Sequence, residues 1–298
     1  MTTPASVVGA DVLRQVKRIE LRARRLVTTL FSGEYRSVFR GHGIEFAEVR
    51  GYQSGDDFRA IDWNVSARMG SPYVKTFEEE RELTLLLVVD RSGSVEFGQP
   101  YTKAQMAVEV AAVLALAAAR QNDRVGAVMF SEGIDHVVPP AKGRRHTLRV
   151  IRDMLAFSPR DRGTNISAAL AYVSRLLRHR SIVVILSDFR AKGWEEQLRN
   201  IAAKHEVVAI TVDDRRETTL PRVGWIELED SESGTRFVVD TSSQATCLKL
   251  QMAAEEARLV RAKTLKRAEV DHISLWTDRP YAEPLHKAFA DRARRLRR

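Results

Sequence analysis

The stretch Leu85-Leu-Leu-Val-Val-Asp-Arg-Ser-Gly-Ser94 decides how this chain is read. An unbroken apolar run stops at Asp90, and Ser92 and Ser94 follow at alternate positions. Such a run, closed by a turn, marks a strand buried on both faces of a parallel sheet. A turn there aims the Asp90 carboxylate and the Ser92 and Ser94 hydroxyls at one point. Oxygen donors of this kind suit a small hard cation such as Mg²⁺, which takes octahedral oxygen at about 2.0–2.1 Å.

Working outward, the chain alternates strand and helix from Leu83 onward. Strands are predicted at Leu83–Val89, Arg124–Phe130, Ile182–Leu186, Glu206–Val212 and His272–Thr277, with a short one near Ile134–Val138. Helices are predicted at Lys103–Arg120, Arg144–Ala156, Ile166–Arg178 and Glu195–Lys204. Continuously apolar strands separated by helices make the fold class α/β, a doubly wound and mostly parallel sheet. Two alternating runs around Ser231-Glu-Ser-Gly234 read as a β-hairpin inserted at about 222–241. A long helix follows over roughly Gln244–Arg267, and a basic helix starts near Ala282. Phe237-Val-Val-Asp-Thr-Ser-Ser243 also ends an apolar run in Asp and Ser, but without the alternate spacing, so it reads as a helix cap.

In a sheet ordered 3-2-1-4-5-6, ligands bind at the strands' carboxyl ends between strands one and four. Asp90 ends strand one. Strand four ends in Leu186-Ser187-Asp188, so Asp188 is expected to face Asp90. The turn Arg162-Gly-Thr-Asn-Ile166 opens a helix and brings Thr164 to the same edge. The candidate ligands are therefore Asp90, Ser92, Ser94, Thr164 and Asp188, holding Mg²⁺ or Mn²⁺. A sixth position stays open to water or to a partner's acidic side chain.

Composition narrows the class. The 298 residues carry a net charge of +9 and one cysteine, Cys247, which excludes an internal disulfide and a Cys-rich zinc site. The stretch Met1-Thr-Thr-Pro-Ala5 lacks a basic n-region followed by an apolar h-region, and no apolar run is long enough to span a bilayer, so no signal peptide and a cytoplasmic protein are expected. An amphipathic helix is predicted over Ala10–Phe31. Basic residues gather at both ends, Arg14 to Arg25 and Arg292 to Arg298.

The Asp-x-Ser-x-Ser run with Thr164 and Asp188 resembles the metal-ion-dependent adhesion site (MIDAS) of von Willebrand factor A (vWA) domains. Asp123-Arg-Val-Gly-Ala-Val-Met-Phe-Ser131 is similar to their second strand. The upstream block Phe39-Arg-Gly-His-Gly-Ile-Glu-Phe-Ala-Glu-Val-Arg-Gly-Tyr-Gln-Ser-Gly-Asp-Asp-Phe-Arg-Ala-Ile-Asp-Trp63, with Ala67-Arg68 and Pro72-Tyr-Val-Lys-Thr-Phe-Glu-Glu-Glu80, resembles the signature of the DUF58 family. The expected organisation is an N-terminal helix and family segment over 1–82, then a vWA-like domain over 83–298. The resemblance implies a non-enzymatic protein-interaction module, adaptor or partner of a MoxR-type AAA+ ATPase. Many DUF58 members carry N-terminal transmembrane helices, which are not seen here.

Two alternatives stay open. One is a hydrolase using the Asp/Ser cluster, although no Gly-x-Ser-x-Gly elbow is present and neither His136 nor His146 sits in a convincing loop. The other is nucleic-acid binding through the basic termini. Gly55-Asp56-Asp57 suits a turn, and Asp62 with Arg68 reads as a pair that braces the segment against the sheet; a recognition or acid–base role for Glu45, Glu48, Asp56, Asp57 and Asp62 is the second reading. Arg91 is expected to point away from the ligands.

Overall fold

The computed structural model describes residues 12, 14–21, 43–80, 83–98, 101–159, 161–232 and 234–296. Six strands form the main sheet: β3 (Thr84–Asp90), β4 (Arg124–Phe130), β5 (Ile134–Ala141), β6 (Ile182–Ser187), β7 (Glu206–Asp213) and β10 (Asp271–Trp276). Their spatial order is β10-β7-β6-β3-β4-β5. Numbered by sheet strand this is the expected 3-2-1-4-5-6 order. All neighbours are parallel except β5, which returns antiparallel along β4. The segment Ser131-Glu-Gly133 is too short for a parallel crossover and only long enough for a hairpin.

Burial follows strand chemistry. Every residue of β6 and all but the first of β3 are buried, as a sheet covered on both faces requires. One face packs Leu86, Val88, Val128, Phe130, Val183 and Ile185 against α4 (Ile166–Leu176) and α5 (Glu195–Ala202). The opposite face lies under α2 (Lys103–Arg120) and α3 (Arg144–Ala156). Buried alanines such as Ala104, Ala107, Ala111, Ala115 and Ala118 let α2 approach the sheet closely. Thr102 and Gln105 start α2 with a reciprocal capping box, fixing where Lys103 begins its first turn.

The inserted hairpin is β8 (Trp225–Glu229) with β9 (Arg236–Asp240), a two-stranded sheet of its own. Helix α6 (Gln244–Arg267) follows, capped by Ser243, and α7 (Ala282–Leu296) packs beside β10. Of the expected N-terminal helix, residues 12 and 14–21 are helical and the rest lies outside the described residues.

The described residues divide into two compact units, one of them made of residues 43–80 and 83. In that unit β1 (Gly43–Gly51) pairs antiparallel with β2 (Tyr73–Glu80), with a register shift between Phe46 and Glu48. Its acidic residues brace turns: Asp56 takes two hydrogen bonds from Arg50 at 2.7 and 2.8 Å. Asp57 accepts from the Arg59 amide at 2.9 Å. Asp62 caps α1 (Trp63–Met69) through the Asn64 and Val65 amides. Glu45 and Glu48 lie on β1.

Candidate metal centre

Asp90 ends the central strand with no exposed surface, and Ser92 is equally buried. The chain turns directly into a 3₁₀ turn at Gly93–Glu96, for which Ser92 is the cap residue. Here the alternate spacing has its effect: the Ser92 and Ser94 hydroxyl oxygens lie 3.1 Å apart on one side of the turn. The Ser92 amide donates to Asp90 Oδ1 at 2.9 Å, and the Ser187 hydroxyl, from the end of β6, donates to Oδ2 at 2.5 Å. Burial, and then the negative charge of Asp188, push the Asp90 carboxyl up from 3.8 to about 6.

Asp188 is 1% exposed and lives in a different environment. The Lys103 ammonium, itself fully buried, donates to Asp188 Oδ2 at 2.8 Å and to Glu217 Oε1 at 2.7 Å. Arg190 reaches Glu217 Oε2 at 2.6 Å and lies 3.8 Å from Asp188. Burial raises Asp188, but the charge and hydrogen bond of Lys103, with help from Arg190, outweigh it and hold the carboxyl below the usual carboxylate range. Two neighbouring buried carboxylates thus have their affinities for protons driven apart.

The backbone after β6 is pinned. Arg261, on α6, donates to the Asp188 carbonyl at 2.5 Å and to both carboxylate oxygens of Asp213 at 2.7 Å. Phe189 takes a positive φ of 52°, unusual for an aromatic residue, and is held by an edge-on contact with Trp194 at 5.2 Å. Arg91 points away from the ligands, with its guanidinium on the Phe157 carbonyl at 3.1 Å and on Glu96 at 3.3 Å.

Thr164 arrives by a third route. The Gly93 amide donates to the Arg162 carbonyl at 2.8 Å, and the Asn165 amide donates to the Ser131 carbonyl at 2.8 Å. These two bonds bring the 162–165 turn to the sheet edge beside the Asp90 loop. The Thr164 hydroxyl donates to Glu232 Oε1 at 2.6 Å, a residue of the β8–β9 tip. Asp90, Ser92 and Ser94 therefore form a bonded set, Asp188 adjoins it by charge, and Thr164 faces the hairpin.

The donor set fits a hard divalent cation. It consists of oxygens, and Asp90 has hydroxyl and amide partners while the nearby ammonium is engaged by Asp188 and Glu217. Among the described residues no three His, Cys, Asp or Glu side chains gather to hold a metal, so a cation here depends on the hydroxyls.

A sequence model described as "Protein of unknown function DUF58" matches residues 48–260. The chain belongs to the DUF58 family. An uncharacterized protein of Mycobacterium tuberculosis is 33% identical over 302 residues, covering 98% of this chain and 94% of that protein. Among solved structures, this DUF58 chain is similar to an aerotolerance-related membrane protein from Bacteroides fragilis, with 16% identity, 72% of this chain and 99% of that chain covered, and a TM-score of 0.46. It is also similar to the SpRpn10 VWA domain, with 12% identity, 44% and 76% covered, and a TM-score of 0.35. Among the described residues no helix is long and apolar enough to cross a membrane.

Sequence reasoning missed Lys103, Ser187, Glu217, Arg261 and Glu232 in this DUF58 site. Ser187 had a signal, being the hydroxyl next to Asp188 at a strand end. Lys103 had another, as a lysine in the first turn of a largely apolar helix, where the helix dipole disfavours a cation. Glu217 and Glu232 belong to distant loops and had none.

Two outcomes follow from this electrostatic arrangement. Lys103→Met leaves Asp188 and Glu217 without the ammonium, and breaking a buried pair from one side costs about 3–5 kcal/mol. Urea unfolding should show that loss, with part of it recovered in Lys103→Met/Asp188→Asn; a loss under about 1 kcal/mol would contradict the assignment. The second concerns pH in the presence of chelator. The folded protein holds the Asp90 proton more tightly than the unfolded chain, so this group's contribution is greatest below 3.8 and declines as pH rises through about 6. Asp90→Asn lacks that decline, so its stability relative to wild type should rise by about 3 kcal/mol across the window. A difference that stays flat with pH would be inconsistent with a raised Asp90.

Proposed function

We propose that this DUF58 protein is a metal-dependent, non-enzymatic protein-interaction module. In this reading Asp90, Ser92 and Ser94 bind Mg²⁺ or Mn²⁺, Asp188 and Thr164 complete the protein's contribution, and an acidic side chain takes the remaining position. The partner is a MoxR-type AAA+ ATPase and the setting cytoplasmic, proposals that rest on the family resemblance and on the single cysteine. The DUF58 and vWA-like fold supports the broader statement, a module that binds proteins.

The observation that carries the reading is the fully buried Asp90 carboxylate at the strand end, beside the Ser92 and Ser94 hydroxyl oxygens 3.1 Å apart. A bound divalent cation would supply an electrophilic point for a carboxylate. The chain's own residues set its charge. With Asp90 ionised, Asp90, Asp188 and Glu217 exceed Lys103 and Arg190 by one negative charge. A divalent cation reverses that to one positive charge, which attracts an acidic group in a site of low dielectric.

The alternatives find less support. His146 faces the Val125 carbonyl at 2.9 Å and His136 faces Asp153 at 3.4 Å, so neither stands as a general base toward Ser92. At the C-terminus Arg292 pairs with Glu206 and Asp271, Arg295 with Asp271, and Arg294 with Asp291, which neutralises much of that basic helix.

Melting with and without Mg²⁺ tests the reading. Saturating metal at about 100 times Kd adds about 2.7 kcal/mol to wild type, a rise of roughly 5–10 °C for a chain of this size. Asp90→Asn should show no rise. Equal shifts in both proteins would sink the metal assignment. Binding of a MoxR-type ATPase that survives chelator at full affinity would sink the claim that metal mediates it.

A further inference from the structure

The β8–β9 hairpin touches the loop of the candidate centre, and its tip brings a carboxylate, that of Glu232, onto the proposed ligand Thr164. Thr164 donates to Glu232 Oε1 at 2.6 Å. Next to it, the Ser231 carbonyl sits so close to Gly93 that a Cβ built there would lie 2.2 Å from that oxygen. Gly93 separates Ser92 from Ser94. The missing side chain at 93 is therefore what lets the hairpin rest on the site loop. A second tie runs from Arg162 to Glu229 at 3.3 Å.

We propose that Glu232 is an internal carboxylate ligand of the cation centre and that the hairpin is a latch which a partner's acidic side chain displaces. This rests on the metal-binding reading above and deepens it by naming what regulates the open position. With its hydrogen directed to Glu232, Thr164 keeps its lone pairs for a cation, so one hydroxyl can serve both groups. The charge agrees: a divalent cation leaves the centre at one positive charge, and Glu232 brings it to zero.

The tip is built to present that carboxylate. The Asp230 amide donates to the Thr235 carbonyl and the Gly234 amide to the Asp230 carbonyl, each at 2.8 Å. The Glu232 amide donates to Asp230 Oδ1 at 3.0 Å. The latch is also weakly held. Among the described residues the hairpin pairs with no third strand, and two-stranded hairpins are marginal in water without outside contacts. Trp225 and Val238, which share one face of the hairpin, are 74% and 63% exposed. A cavity of about 490 Å³ lined by Gly93, Glu96, Phe97, Arg162, Glu229 and Ser231 flanks the contact between the hairpin and the site loop.

Mn²⁺ is the probe, with the full chain as wild type, Glu232→Ala and Gly93→Ala. The readouts are Mn²⁺ affinity and the water-proton relaxation of each bound ion, which counts coordinated water. Glu232→Ala should bind about tenfold more weakly and show faster relaxation, one water having replaced the carboxylate. Gly93→Ala should copy the faster relaxation by lifting the tip. Acetate should restore the slower value in Glu232→Ala and change nothing in wild type. Affinity and relaxation unchanged in both variants would overturn the latch while leaving the cation centre standing. No Mn²⁺ binding by wild type would overturn both.

Discussion

Asp90 and Asp188 end adjacent strands with both carboxylates out of water, and only one of them has a cation beside it. Lys103 neutralises Asp188 from the first turn of α2, a position set by the Thr102–Gln105 capping box. Asp90 has hydroxyl and amide donors, which stabilise a carboxylate less than a countercharge does. Burial of an under-compensated carboxylate costs the fold stability, and under the proposed function that cost is the counterpart of an affinity for a divalent ion.

The surrounding fold maintains that asymmetry. The sheet order sets β3 against β6, so the two strand ends meet in register, Val89 opposite Leu186. Arg261 anchors the Asp188 carbonyl from α6, and the strained backbone at Phe189 is trapped by Trp194. The hairpin stands at this edge as a two-stranded sheet of its own. Its tip contacts fall on Gly93 and Thr164, while Trp225 and Val238 on one of its faces are open to solvent.

Much of this was legible in the sequence because period and position carry it. Apolar runs marked the strands, and β3, β4, β6 and β7 lie within a residue of where they were expected. The hairpin and α6 were equally readable, since alternation and helical spacing are local signals. The antiparallel sense of β5 had a signal too, in the three-residue link Ser131-Glu-Gly133 to β4, which is long enough only for a hairpin. Asp90, Ser92 and Ser94 were legible as a group since one turn joins them. The partners of Asp188 and Thr164 were not, because Lys103, Glu217 and Glu232 come from elements whose meeting depends on the completed fold.

The most direct measurement is anomalous diffraction from crystals grown with Mn²⁺. The account predicts one peak bounded by the Asp90 carboxylate and the Ser92 and Ser94 hydroxyls, at metal–oxygen distances of about 2.1 Å, with Lys103 still on Asp188. No peak at that position in saturating Mn²⁺, with Asp90 still bonded only to Ser92 and Ser187, would contradict it.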